Sequence, residues 1–299
     1  MTAPILVFGR NGQVARELAD LAQATGRAMT FAGRETLDLA DPATAGGRID
    51  ALIAQAAPSA VINAAAYTAV DRAEREPDAA FALNRDAPAA MAAACAARGL
   101  PFAHFSTDYV FDGALDRPYV ETDPTGPTGV YGASKLAGEQ AVTAAGGPAI
   151  TLRTSWVYGV HGTNFVKTML RLAKDRDEIS VVTDQIGRPT WARDCARAAL
   201  LAVDALGEAP DLAGLYHLCG AGDASWADLA AETFALSTRR GGPTARVQPI
   251  TTADYPTPAR RPANSRLDCG KIEAALPWRC PPWRESLAAC MNEMELQAS

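Results

Sequence analysis

Tyr131 and Lys135 are the two side chains whose types and spacing could do acid–base chemistry. On a helix, residues four apart share one face and lie about 6 Å apart along the axis. An ammonium at that distance favours the phenolate and lowers the tyrosine pKa, so the phenol can exchange a proton with a carbonyl or an alcohol. Most such pairs are only solvated helix faces, so the meaning of this one depends on the elements around it.

The start of the chain provides the context for a dinucleotide cofactor. Ile5–Phe8 is a continuous apolar run, typical of a strand buried on both faces, and a helical pattern of apolar residues begins at Val14. The turn between them has the spacing Gly-x-x-Gly-x-x-Ala, which brings backbone and a helix N-terminus close to a pyrophosphate. Cofactor contacts are predicted at Gly9, Asn11, Gly12, Gln13 and Val14.

The ends of the next two predicted strands indicate which cofactor binds. Residues 28–32 form a strand whose tip carries Arg34, and an arginine there suits a 2′-phosphate, so NADPH is favoured with NADH as the alternative. Asp38 and Leu39 follow, where a side chain or the backbone could meet the adenine. A strand over 60–68 brings small side chains to its carboxyl end, which leaves room for a ligand or for tight packing; these are Ala64, Ala65 and Ala66.

Candidate substrate contacts follow a fourth predicted strand, residues 102–105. Thr107 could donate to a substrate oxygen, and Asp108 could accept from a sugar hydroxyl. A helix from residue 130 to about 145 then carries Tyr131 and Lys135. Far along the chain, Arg260 and Arg261 lie in a proline-rich loop that suits either a diphosphate clamp or a solvated basic turn.

The alternation of strands and helices predicts an α/β fold, a Rossmann-type doubly wound parallel sheet. The cofactor-binding core is assigned to residues 1–160, with further core elements around 179–206, and residues 160–299 form mainly a smaller α/β substrate-binding lobe. Residues 71–98 are predicted to be helical in two pieces, and residues 185–190 to be a loop.

Composition excludes several classes of function. With a net charge of −6, the chain lacks the clustered basic residues of a nucleic-acid-binding protein. It has no apolar run long enough to span a membrane and no signal-peptide pattern, so a cytoplasmic enzyme is expected. The six cysteines and three histidines are dispersed without metal-ligand spacing, so no metal site or disulfide framework is predicted.

Together these motifs resemble the extended short-chain dehydrogenase/reductase family over nearly the whole chain. The six matching motifs are Gly9–Glu17, Asn63–Asp71, Ser106–Gly113, Tyr131–Glu139, Arg153–Tyr158, and Tyr255–Pro262 taken together with Asn264–Leu267. The match is best with members that use NADPH to reduce the 4-keto group of dTDP-4-dehydro-L-rhamnose. Six motifs in the right order leave little room for coincidence.

The resemblance implies a role for each candidate residue. Tyr131 protonates the ketone oxygen as hydride arrives, Lys135 lowers the tyrosine pKa and binds the nicotinamide ribose, and Thr107 orients the ketone. Asp108 and Trp156 contact the sugar, although Trp156 also fits an ordinary core aromatic. Arg260 and Arg261 lie on the side of the nucleotide diphosphate.

The sequence motifs distinguish a reductase from only some of the related functions. A nucleotide-sugar dehydratase would carry glutamate after Asp108 for its extra acid–base step, and Tyr109 stands there instead. An epimerase would have the same tyrosine and lysine, so this function remains an alternative. A cofactor-binding regulatory subunit, similar to the regulator of methionine adenosyltransferase, is a further alternative, which the intact Thr107, Tyr131 and Lys135 set disfavours. An NADPH-linked sensor that binds a partner through the C-terminal lobe is a third alternative.

The resemblance also raises the question of a metal. Some family members dimerise around Mg²⁺ held by glutamates of both subunits, and Glu17 and Glu293 match two of those positions. The glutamate expected after Pro189 is missing. No metal ligand is therefore predicted, and both Mg²⁺ and a homodimer are left open.

Overall fold

The computed structural model describes residues 3–294, apart from the side chains of residues 42–44. The strands are β1 (Ile5–Phe8), β2 (Met29–Ala32), β3 (Ala60–Asn63), β4 (Phe102–Thr107), β5 (Ala149–Thr154), β6 (Val157–Tyr158), β7 (Glu178–Val182), β8 (Ile186–Gly187), β9 (Thr190–Trp191), β10 (Gly214–His217), β11 (Ala224–Ser225), β12 (Arg246–Ile250) and β13 (Asn264–Ser265). The α-helices are α1 (Gln13–Thr25), α2 (Pro42–Ala56), α3 (Val70–Ala73), α4 (Pro77–Phe81), α5 (Ala87–Ala96), α6 (Val130–Ala144), α7 (Phe165–Leu172), α8 (Ala192–Glu208), α9 (Trp226–Arg239), α10 (Gly270–Ala275) and α11 (Trp283–Glu293).

Six strands form the central sheet in the order β10-β5-β4-β3-β1-β2, and every neighbouring pair is parallel. In this register Phe8 pairs with Asn63, and Thr107 pairs with Thr154. The carboxyl ends of β1, β3, β4 and β5 therefore meet at one edge of the sheet, where open α/β folds bind their ligands. The predicted doubly wound α/β fold is confirmed.

The apolar run of β1 is continuous because both faces of the sheet are covered. Ile5 and Val7 pack in one hydrophobic cluster with α1 and α8, whereas Leu6 and Phe8 pack in another with α2 and α5. All four side chains are at most 2% exposed. Burial of such side chains contributes about 1.5–3 kcal/mol each, which holds the sheet edge rigid beneath the site.

Smaller elements differ from the sequence expectations. The predicted strand 60–68 ends at Asn63, so the three alanines lie in the loop beyond it. Residues 71–98 form short helices interrupted by a π-helical turn, Ala82–Asp86, rather than two pieces. The predicted loop 185–190 instead contains the short strand β8, which pairs with β11 and β13. The last residue of this segment, Thr190, is the first residue of β9, which pairs with β6. Each of these strands has only two residues and pairs with residues distant in sequence, so no alternation of polar and apolar residues predicts it.

The division into a core and a lobe near residue 160 stays a prediction. The structure adds one strand from beyond that point to the central sheet, since β10 pairs with β5. β7 instead pairs with β12 in a separate two-stranded sheet. All six cysteines are free thiols, and none of the helices in residues 3–294 is long and apolar enough to cross a membrane.

Candidate active site

A cleft of about 540 Å³ lies at the carboxyl edge of the central sheet. Its walls come from the turn after β1, the loop after β3, the ends of β4 and β5, and the start of α6. Twelve sequence-predicted residues line it: Asn11, Gly12, Gln13, Val14, Ala64, Ala65, Ala66, Thr107, Asp108, Tyr131, Lys135 and Trp156. The three predicted catalytic residues are among them, so one cleft holds both the dinucleotide turn and the acid–base pair.

The turn after β1 has the shape that a dinucleotide requires. Gly9 has φ +108°, and a Cβ there would lie 3.0 Å from the carbonyl carbon of Ala64, so only glycine lets the two loops meet. Gly12 is the N-cap of α1 and makes no side-chain capping bond, so the first backbone N–H groups of a 13-residue helix stay free. Free N–H groups at a helix N-terminus suit a pyrophosphate. The residues present fit the predicted cofactor.

Tyr131, Thr107 and Asp108 form a chain of polar groups in the cleft. The Thr107 hydroxyl donates to Asp108 Oδ1 at 3.0 Å. Loss of solvation raises the pKa of Tyr131, and the Thr107 hydroxyl beside the phenol opposes this. Burial likewise raises the pKa of Asp108 to about 6, against hydrogen bonds from Ser265 and Thr107. Tyr131 therefore stays protonated at neutral pH, as a general acid must before it delivers a proton.

Lys135 is buried in the cleft and bonded to the backbone. Its ammonium donates to the carbonyl oxygen of Phe105, and burial lowers its own pKa to about 8, with Glu139 opposing the change. The net pKa of Tyr131 is raised, because burial of the phenol dominates, and the expected lowering contribution of Lys135 stays a prediction. The two side chains still line the same cleft.

Two buried contacts hold α6 in position, and neither one corresponds to a local sequence pattern. Glu139 accepts a bidentate pair of hydrogen bonds from Arg153 on β5, at 2.8 and 2.6 Å. The Asn84 amide donates to Ser134 Oγ at 3.0 Å and bonds the backbone of Tyr67 in both directions. Asn84 lies in the π-helical turn, a feature that often marks functional sites. Both contacts join residues distant in sequence, so periodicity could not reveal them.

Tyr109 lies directly beside Tyr131. Its ring meets that of Tyr131 edge to face, with centroids 5.5 Å apart. Burial raises the pKa of Tyr109 to about 12, and Arg261 opposes the change through its charge and a hydrogen bond. Tyr109 is thus a second neutral phenol where a dehydratase would place a carboxylate.

The remaining predicted binding residues lie outside the cleft lining. Arg34 is exposed at the end of β2, 4.0 Å from Asp38, and Leu39 packs against the second hydrophobic cluster. Arg260 and Arg261 line a separate cavity of about 720 Å³. Arg261 donates to Asp71 at 2.7 Å, which leaves Arg260 as the exposed guanidinium of the pair.

An arginine side chain lies between Glu17 and Glu293, the two glutamates that match metal-binding positions of the family. Arg193 Nε lies 2.7 Å from Glu17, and Nη1 contacts Glu293. Glu17 also lies near Asp20 and His161, but those two hydrogen-bond each other at 2.6 Å. A guanidinium already supplies the positive charge between the two glutamates. The residues present therefore do not fit a magnesium ion.

We expect Arg193→Gln to lower the free energy of unfolding by about 3 kcal/mol at pH 7, because it leaves a buried carboxylate without its counter-charge. The matched control is Arg239→Gln, since Arg239 is 66% exposed and lies 3.4 Å from the part-exposed Glu232; it should cost about 0.5 kcal/mol or less. Denaturant unfolding with and without EDTA measures both. Equal losses in the two variants, or destabilisation of the wild type by EDTA, would contradict this account.

The fold and the site together define a Rossmann-fold oxidoreductase of the short-chain dehydrogenase/reductase class. The family model described as "RmlD substrate binding domain" matches residues 2–296. The chain belongs to this family, the dTDP-4-dehydrorhamnose reductases.

Individual relatives agree with that assignment. A dTDP-4-dehydrorhamnose reductase of Sinorhizobium fredii is 48% identical over 284 residues, covering 94% of each chain, and one of Escherichia coli K12 is 41% identical, covering 97% of each. Among solved structures, the Bacillus anthracis dTDP-4-dehydrorhamnose reductase in complex with NADP is 33% identical with a TM-score of 0.89, covering 98% of this chain and 100% of that one. A UDP-glucose 4-epimerase of Thermus thermophilus shares the fold, with a TM-score of 0.78 at 20% identity.

Proposed function

We propose that this chain reduces the 4-keto group of dTDP-4-dehydro-L-rhamnose to give dTDP-L-rhamnose, with NADPH as reductant. The observation that carries the proposal is the shared cleft: the uncapped helix N-terminus behind Gly12 lies in the same cavity as Thr107 and Tyr131. Membership of the reductase family supports the choice of substrate.

Reduction of a ketone needs one hydride and one proton. When bound, NADPH supplies the hydride. Tyr131 supplies the proton from its hydroxyl, which burial keeps protonated. Thr107 holds its hydroxyl beside that phenol. In this structure that hydroxyl donates its one hydrogen to Asp108 Oδ1, and it would orient the ketone oxygen by turning this donor to the substrate.

Lys135 has two tasks in this proposal. Its ammonium, which donates to the Phe105 carbonyl, would supply positive charge for the developing alkoxide, and its remaining N–H groups would be donors for the nicotinamide ribose. Asp108 and Trp156 contact the sugar. Arg260 and Arg261 lie on the diphosphate side, where the exposed guanidinium of Arg260 is the freer of the two.

The proposal is tested by following nicotinamide absorbance. The purified protein should oxidise NADPH when dTDP-4-dehydro-L-rhamnose is added and leave it unchanged without the sugar. An absence of turnover with both NADPH and NADH would remove the proposed function. Cofactor binding without turnover would instead support the regulatory alternative.

Arg34 is proposed to recognise the 2′-phosphate of NADPH. Its neighbour Arg10 is held by Glu35 at 2.9 Å, which leaves Arg34 as the less engaged of the two guanidinium groups. Arg34→Asp should raise the KM for NADPH about tenfold or more and shift preference toward NADH, because a charge contact becomes a repulsion. Arg176→Asp, the same charge change at an exposed position outside both cavities, should leave the NADPH-to-NADH preference unchanged. An unaltered preference in the Arg34 variant would disprove this role.

A further inference from the structure

Trp226 is a cleft residue that the sequence did not single out. It is the first residue of α9, in the C-terminal half of the chain, and lines the same cavity as Tyr131 and Trp156. Its ring stacks on that of Trp156 with centroids 3.7 Å apart and planes 11° apart. Because both indoles are half-buried, the stack presents aromatic surface to the cleft.

Trp156 has a backbone conformation that needs support. Its φ is +50°, in the left-handed region, which costs a bulky residue about 1–3 kcal/mol. Gly187 passes so close that a Cβ there would lie 2.5 Å from the Trp156 ring. Trp156 is therefore held by Gly187 and by the stacked ring of Trp226, so its orientation depends on Trp226.

Trp226 is itself firmly anchored. Its indole N–H donates to Gln185 Oε1 at 3.1 Å, and the Gln185 amide donates to Thr252. Phe165 packs against the same ring at 4.7 Å. Ser225 and Asp228 form a capping box that fixes the start of α9. The position of Trp226 is thus set from outside the cleft.

From this geometry we propose that Trp226 is a positioning residue that sets sugar affinity: it holds the Trp156 ring as the apolar wall against which the pyranose of the sugar nucleotide packs. The C–H faces of a pyranose, and most of all of a deoxysugar, suit an aromatic surface. This inference rests on the proposed function. Its effect falls on the sugar nucleotide and not on the cofactor, since the dinucleotide turn lies on other elements.

The test combines kinetics with a spectroscopic readout. Trp226→Leu should raise the KM for dTDP-4-dehydro-L-rhamnose about tenfold, with kcat changed less than about threefold and NADPH binding unchanged. Trp226→Phe should restore most of the affinity, because it keeps a ring on Trp156. Two stacked indoles couple excitonically, so the wild type should show a circular-dichroism couplet that both variants lose. Trp278→Phe, a half-buried tryptophan outside the cleft lining, should retain the couplet and the wild-type KM.

The outcomes are distinct. If the wild type turns over but Trp226→Leu keeps the wild-type KM, or loses kcat and NADPH binding instead, the inference is overturned while the proposed function stands. If Trp226→Leu does not fold, Trp226→Phe carries the test, and a couplet unchanged in that variant overturns the inference. A wild-type chain that neither turns over nor binds dTDP-L-rhamnose overturns both.

Discussion

Tyr131→Phe is expected to lower kcat by about 10²–10⁴-fold, the range that a positioned general acid contributes. The change removes one oxygen atom and leaves the ring, including its edge-to-face contact with Tyr109 at 5.5 Å. Binding of NADPH, measured by fluorescence titration, should stay within about threefold of the wild type, because the dinucleotide turn is untouched. The loss should appear in kcat and not as a matching rise in KM.

The matched control for this variant is Tyr216→Phe. Tyr216 lies on β10, the edge strand of the central sheet, and its hydroxyl donates to the Leu212 carbonyl at 2.8 Å. It loses the same atom outside the cleft and should keep full activity. If Tyr131→Phe retained wild-type kcat, the proton would have to come from another group, and the central assignment of the site would be wrong.

Lys135→Met is expected to reduce kcat/KM by about 10²-fold or more, because it removes the buried positive charge that we propose stabilises the developing alkoxide. The lysine also sets the expected pH dependence. Burial lowers its pKa to about 8, so the ammonium is present below that pH and is lost above it. Burial keeps the Tyr131 pKa raised, so the phenol does not titrate in this range. Activity should therefore fall as pH rises through about 8.

The control for the lysine is Lys271→Met. Lys271 Nζ also donates to a backbone carbonyl, that of Leu215, at 2.7 Å, but it lies at the exposed edge of the sheet. This variant should keep both the rate and the alkaline limb of the wild type. An alkaline limb that stays near pH 8 in a partly active Lys135 variant would show that another group titrates there.

The fold, and the gathering of the candidate residues in one cleft, could be predicted because their signals are local. The strand, glycine turn and helix around Gly9 follow one another directly, and Tyr131 and Lys135 share one helix. The parallel sheet then brings Thr107, at the end of β4, to the same edge. Each step needs only the order of the elements and the rule that ligands bind at the carboxyl edge.

The supporting contacts could not be predicted because they join residues far apart in sequence. Trp226 reaches back to Trp156, and Arg193 joins Glu17 near the start of the chain to Glu293 near its end. The capping box at Ser225 marks a helix start, but nothing local says which ring α9 will meet. The burial that raises the Tyr131 pKa is likewise a property of the tertiary structure, which the spacing of two residues on one helix does not show.

The most direct test of the central claim is the stoichiometry of the reaction. Purified protein, a limiting amount of dTDP-4-dehydro-L-rhamnose and excess NADPH are mixed, and both the NADPH consumed and the dTDP-L-rhamnose formed are measured. We predict one NADPH oxidised for each dTDP-L-rhamnose formed. Conversion of the sugar without net loss of NADPH would indicate an epimerase, and binding of NADPH without any conversion would indicate a regulatory subunit; either result would contradict the proposed reductase.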